Sequence, residues 1–410
     1  MLKQKFRSSV LEAYGANAGE IAELLVYNQN LFDHSKMRSP QSFPLEPEPH
    51  VAVWSKYLNS ATEIGIVKTL KNALVQLHFP IAKGISQTDA YRAATLKGVD
   101  PHTIPKATGL KLKQPEAIEL QIYPSLAGEI PVLLAVNRAD FVSLVQALTR
   151  RNEPDPIPDS MGACMVAGYN NWDRIRQYRQ QWSQQNPTDS GEIAWQQEFI
   201  KLVPQKNLYR DRFIILSNGF YSNVAPEDLG LTAAEWHKLS RTIRLEHECT
   251  HYLTRRLFNS MQNNLLDELI ADYRGIVAAV GYYRADWFTR FMGLESFPNY
   301  SEGGRLQNYR GQPPLSNRAF KTLQALVVAA ARNLEQFDRT YAQELKFSCN
   351  RHFCSIALTY LTLEELASDI AIVRLKTIFQ QLQNGVADSR YETESITARS
   401  SDAKQSEATL

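Results

Sequence analysis

The segment His247-Glu248-Cys249-Thr250-His251, followed 17 residues further on by Glu268 and then by Asp272, constrains the fold of this chain more than any other stretch. At 3.6 residues per turn, positions four apart share a helix face, so His247 and His251 stand one above the other and two imidazoles can reach one ion. Glu248 sits about 100° round the helix from His247, within reach of a water held at that ion but not of the ion itself. Cys249 points away from that face. A zinc ion with catalytic work to do takes three protein ligands and keeps a fourth position for water. Glu268 is the best third ligand, because its separation from His251 lets one helix end, turn and give way to a second running back alongside. Asn259, Asn263 and Asn264 supply the turn chemistry, with Asn264 as N-cap and Asp267 as an acid in the first turn. Asp272, at i+4 from Glu268, shares its face and is placed to accept the free ring N–H of a ligand histidine.

His-Glu-x-x-His with a downstream Asp-Glu-x-x-x-Asp resembles the gluzincin group of zinc metallopeptidases, the thermolysin-like arrangement. Over residues 247–272, the resemblance implies that His247, His251 and Glu268 bind one zinc ion. It also implies that Glu248 is the general base and that Asp272 orients a ligand histidine. The expected activity is that of a zinc-dependent hydrolase, a metalloprotease that cleaves a peptide or protein substrate with a zinc-bound water activated by Glu248. Two departures accompany the match: Asp267 stands where the thermolysin pattern has Asn, and the spacing to Glu268 is shorter. Two alternatives remain for the same residues, a zinc-stabilised module that binds or scaffolds without catalysis, and a zinc hydrolase of a non-peptide amide. Glu248 favours catalysis, since an inactive site has little need of a carboxylate beside the water. Tyr273, Tyr282, Tyr283, Arg274 and His352 are candidate oxyanion donors, and no signal separates them.

Other chemistries lack their usual supports. The chain has no Gly-x-Ser-x-Gly elbow and no Gly-Lys-Ser/Thr phosphate loop. A net charge of +2 and the absence of a dense basic run argue against nucleic acid, with Lys111 and Lys113 or Arg255 and Arg256 reading as solvated faces. No 18-residue apolar run occurs, so no membrane partner is expected. The charged N-terminus lacks the apolar stretch of a secretory signal, which gives a cytoplasmic expectation. Four cysteines in 410 residues do not make a disulfide framework. Cys349, His352 and Cys354 form a cluster that lacks the fourth ligand of a second metal site.

A chain of this length suggests two domains. Asn17-Ala-Gly-Glu20 reads as a capping box opening a helix, and Ser60-Ala-Thr-Glu63 as the start of another that ends at Pro80. A helix over 87–97 stops at Gly98. Ile118–Tyr123 alternates as a half-buried strand and pairs as a hairpin with the more apolar 131–136, before a helix over 141–148. Three prolines between Glu153 and Asp159 mark the expected domain break. Beyond it, aromatic stripes at Trp172, Tyr178, Trp182, Trp195 and Phe199 read as helix cores. Phe213–Ser217 reads as a strand, edge or central. Thr232–Glu235 caps the motif helix, which runs to Phe258 with Leu245, Cys249 and Leu253 as its buried side; 317–346 and 362–383 follow as two long helices. The expectation is therefore α+β: a mixed helical/β N-terminal domain over 1–155, a mostly helical zincin-like catalytic domain with a small sheet over 160–385, and a disordered tail over 386–410.

Overall fold

The computed structural model describes residues 2–38, 42–188, 190–260 and 264–384; the expected tail and Asn263 lie outside them. The fold is α+β, with one small sheet among many helices. The chain opens with α1 (Leu2–Ala13) and α2 (Ala18–Tyr27). Then come α3 (Pro49–Ile64), α4 (Ile66–Ala73), α5 (Asp89–Lys97), the hairpin β1 (Ile118–Ser125) and β2 (Gly128–Ala135), and α6 (Arg138–Thr149). After β3 (Ala163–Asn170), α7 (Trp172–Gln185), α8 (Glu192–Leu202) and β4 (Arg210–Ser217), the motif helix α9 runs from Ala233 to Phe258. The remainder is α10 (Leu265–Val280), α11 (Ala285–Met292), α12 (Asn317–Thr340), α13 (Ala342–Leu345), α14 (Ser348–Leu358), α15 (Leu363–Ala367) and α16 (Ala371–Gln383).

The chain divides into two compact units, Phe43–Cys249 on one side and Met1–Ser42 with Thr250–Leu410 on the other. This corrects the expected break at Glu153–Asp159, which falls inside the first of these. The reason is the sheet: its strand order is β1-β2-β4-β3, and β2 pairs in parallel with β4 across the proline-rich stretch, Val132 opposite Ile214 and Ala135 opposite Ser217. This ladder of main-chain hydrogen bonds ties the segments before and after the prolines into one sheet, so the prolines are a connection within one unit.

In the unit Phe43–Cys249, the hairpin forms in the expected register region, Ile118 opposite Ala135. Leu133, Phe213 and Ile215 face a core completed by Trp54, Leu70, Phe141 and Leu144 from α3, α4 and α6, with Leu74 just beyond the end of α4. The expected helix start at Ser60 is also corrected: Ser60 lies inside α3, which begins with Pro49 at its first turn, and Gly65 ends it at φ +84°. The aromatic stripe is core, Trp195 packing with Trp182 and Phe199 beside Ile175 and Leu202.

In the other unit, the Asn17–Glu20 capping box forms as read. Helix α12 packs against α2, α11, α15 and α16. The expected run over 317–346 is α12 plus the short α13, and 362–383 is interrupted between α15 and α16. Buried charge is paired: Glu364 accepts from Arg7 at 3.1 Å and Glu365 from Arg374. No described helix is long and apolar enough to cross a membrane.

Candidate metal centre

Helix α9 starts at a capping box, the Thr232 amide donating to the Glu235 carboxylate at 2.9 Å and the Glu235 amide donating back to Thr232 Oγ1 at 3.3 Å. It ends where Asn259 turns left-handed at φ +52° and the Ser260 amide donates to the Thr254 carbonyl, a Schellman-type stop. Between these ends Leu245, Cys249 and Leu253 are buried as read, and so are Trp236, Ile243 and Tyr252; the first turns are largely exposed, and from Ile243 to Thr254 the helix is covered nearly all round. Asn264 caps α10 by accepting from the Asp267 amide at 3.1 Å, which places Asp267 and Glu268 in its first turn.

The ligand atoms of His247, His251 and Glu268 all lie within 4.8 Å of one another, the group so placed among the described residues. These residues are only 7, 6 and 5% exposed, and Glu248 is 9% exposed. His251 Nε2 stands 3.4 Å from Glu268 Oε1. Two ligands held at 2.0–2.1 Å on a tetrahedral ion are separated by about 3.3 Å, so the spacing of this pair is that of two ligands on one zinc ion. Two imidazoles and one carboxylate are also the donor types zinc selects.

Three residues around the ligands escaped the sequence reading. His251 Nδ1 lies 3.4 Å from the Asp267 carboxylate, an ion-pair contact between two buried side chains. Burial pulls the His251 imidazole down, but Asp267 and Glu268 together overcome that and hold it well above its usual range. Asp272, expected in the orienting role, is ion-paired with Arg305, whose guanidinium also lies 3.6 Å from Glu268 Oε2. Asp267 precedes Glu268 by one residue in the first turn, whereas Asp272 is a turn further along α10. Tyr309 hydrogen-bonds Glu268 as well, and its phenol is pushed well above the normal range first by burial and then by that carboxylate. The third missed residue is Tyr221, whose Oη lies 2.9 Å from His247 Nδ1. Arg305, Tyr309 and Tyr221 are remote from the motif in sequence and carry no local pattern.

Beside Glu248 the structure places Arg244, one turn earlier on α9, and the start of β3. Burial draws the Arg244 guanidinium down to about 10, while Tyr221 and Glu248 pull it up and Arg138 pushes it down again, so it stays a cation at neutral pH. Burial first, and the Glu248 charge second, raise the Cys164 thiol to about 12. Gly162 admits the arginine: a Cβ there would overlap its guanidinium. The outer strands of the sheet are β1 and β3, the latter without a clear alternating pattern, and Phe213–Ser217 lies in the inner strand β4.

Of the candidate oxyanion donors, Tyr273 is committed elsewhere, donating to Asp338 at 3.1 Å in a buried network with Arg351. Tyr283 is buried beside it, its ring 5.4 Å from that of Tyr273, and Tyr282 is half exposed. His352 is lowered to about 4 by burial and then by Arg274. The Cys349 side chain lies outside the described residues, and Cys354 is fully buried with its thiol raised to about 12, chiefly by burial.

Comparison with known proteins finds no matching curated protein and no matching solved structure. One family profile, described as a family of unknown function (DUF7005), matches residues 9–370.

Proposed function

The chain belongs to that family of unknown function, the match spanning most of its length, and for it we propose a zinc-dependent hydrolase, a metallopeptidase with Glu248 as general base. The observation that carries this reading is the convergence of His247, His251 and Glu268, buried and within 4.8 Å of one another, with Glu248 next to the first of them. Three ligands rather than four is the count of zinc sites that keep a position open for chemistry. Zinc, when bound, supplies a Lewis acid that brings the pKa of water to near 7. With zinc held by His247, His251 and Glu268, Glu248 would be the base that takes a proton from water and passes it to the leaving amine. Asp267 keeps the His251 ring fixed during these transfers, and the burial of all four groups limits competing bulk water.

Metal content tests the reading first. Wild-type protein should carry about one zinc, and His247→Ala, His251→Ala and Glu268→Ala should each lose it. Glu248→Gln should keep the zinc and lower hydrolysis in peptide libraries by roughly 10²–10⁴-fold. Zinc-loaded wild type that cleaves nothing across broad libraries, with or without chelator, rejects the peptidase. Glu248→Gln that retains full biological activity favours a zinc-stabilised scaffold instead.

A further inference from the structure

We propose that Tyr221 is the positioning residue for His247: its phenol fixes the imidazole so that Nε2 is the nitrogen presented to the ligand cluster, and α9 is built to hold that phenol in place. This rests on the metal reading above. Imidazole can bind zinc through either nitrogen, and the choice is set by what the other nitrogen meets. Here Nδ1 meets the Tyr221 oxygen at 2.9 Å, with the two rings edge-on at 6.0 Å and both residues buried. With zinc on Nε2, Nδ1 carries the hydrogen and donates it to Tyr221 Oη.

The segment bearing Tyr221 is fastened to one stripe of α9, a turn at a time. Trp236 Nε1 donates to the Val224 carbonyl at 2.8 Å. Ser240 Oγ accepts from the Tyr221 amide at 2.9 Å. Arg244 donates to the carbonyls of Ser217 and Phe220, each at 3.1 Å, and lies 5.8 Å over the Tyr221 ring. His247 is the next position on that stripe. These fastenings bracket Ser222 and Asn223, which are held at φ +50° and +57°, a region non-glycine residues seldom occupy unless the surroundings impose it. Main-chain groups at 217, 220, 221 and 224 are thus bound by side chains from three turns of the helix that carries the histidine, and the position they jointly define is that of the phenol.

The test compares zinc-loaded wild type with Tyr221→Phe, which removes one oxygen and keeps the ring. Zinc affinity is read by competition with a chromophoric chelator, and the histidine Nδ1–H protons by NMR of ¹⁵N-histidine-labelled protein. Tyr221→Phe should melt close to wild type, bind zinc roughly 10–100-fold more weakly, and lose exchange protection of the His247 Nδ1–H while that of His251 persists. Zinc affinity within twofold of wild type, with the His247 proton still protected, overturns the proposal and leaves the metal site standing. Wild type that binds no zinc overturns both. Should the variant fail to fold, wild type alone decides: a His247 Nδ1–H exchanging at solvent rate overturns the proposal, and a protected one coupled to the Tyr221 phenol supports it.

Discussion

His247 and His251 stand one turn apart on one helix, yet their surroundings differ in kind. His251 lies between two carboxylates, Asp267 at Nδ1 and Glu268 at Nε2, and its imidazole is drawn toward the charged form. His247 faces a neutral phenol. A carboxylate raises the basicity of the ring it holds, while a phenol fixes orientation with little charge. The contrast teaches that a shared motif settles which residues converge and leaves open how firmly each is held. That firmness comes from groups far away in sequence.

The largest expected effects come from the ligands themselves. Each alanine replacement removes one of three donors, and with structural zinc binding worth about 10–16 kcal/mol over a full ligand set, a single loss costs roughly a hundredfold or more in affinity. Isothermal titration with zinc would measure it, and on the carboxylate side His251→Ala should exceed His247→Ala. Next comes Arg305, which compensates Glu268 and Asp272. Removing one partner of a buried ion pair costs on the order of 3–5 kcal/mol, so Arg305→Met should lower the melting temperature of zinc-free protein strongly, and added zinc should recover part of the loss by neutralising Glu268. A variant equally stable with and without zinc would remove that link. Asp267 sharpens the comparison further: Asp267→Ala should weaken zinc by about 10–100-fold, more than Tyr221→Phe, whereas Asp267→Asn keeps an acceptor and should stay within about tenfold. Equal effects at the two histidines would erase the distinction.

The smallest effect lies outside the centre. Burial lowers His34, His50 and His352 from 6.5 to about 4. Protons bind these rings more readily in the unfolded chain, so their contribution is complete above pH 6.5 and drains away as pH falls toward 4. Melting temperatures should decline as pH falls from 6.5 toward 4, and a profile flat down to pH 4.5 would contradict the burial argument.

Much of the fold was legible where local rules act. The capping residues Asn17, Thr232 and Asn264, the hairpin at Ile118–Ala135 and the buried face of α9 all follow from spacing of a few residues. The spacing of His247, His251 and Glu268 placed the candidate ligands together for the same reason. What escaped is non-local. The parallel pairing of β2 with β4 made the proline run a connection within one unit, and the Ala/Gly-containing β3 lacked alternation. Asp272 met Arg305, a partner 33 residues away that no helical period could reveal.

Under the proposed peptidase activity, the irregularity in β3 would bear on selectivity. Its ladder with β4 is regular from Ala163 to Val166 and slips before Tyr169. In an antiparallel strand alternate residues turn their main-chain groups outward, so this stretch offers only about two residues to a chain laid along its free side. A substrate docked there would have a short backbone footprint, leaving discrimination between sequences to side-chain pockets rather than to main-chain register.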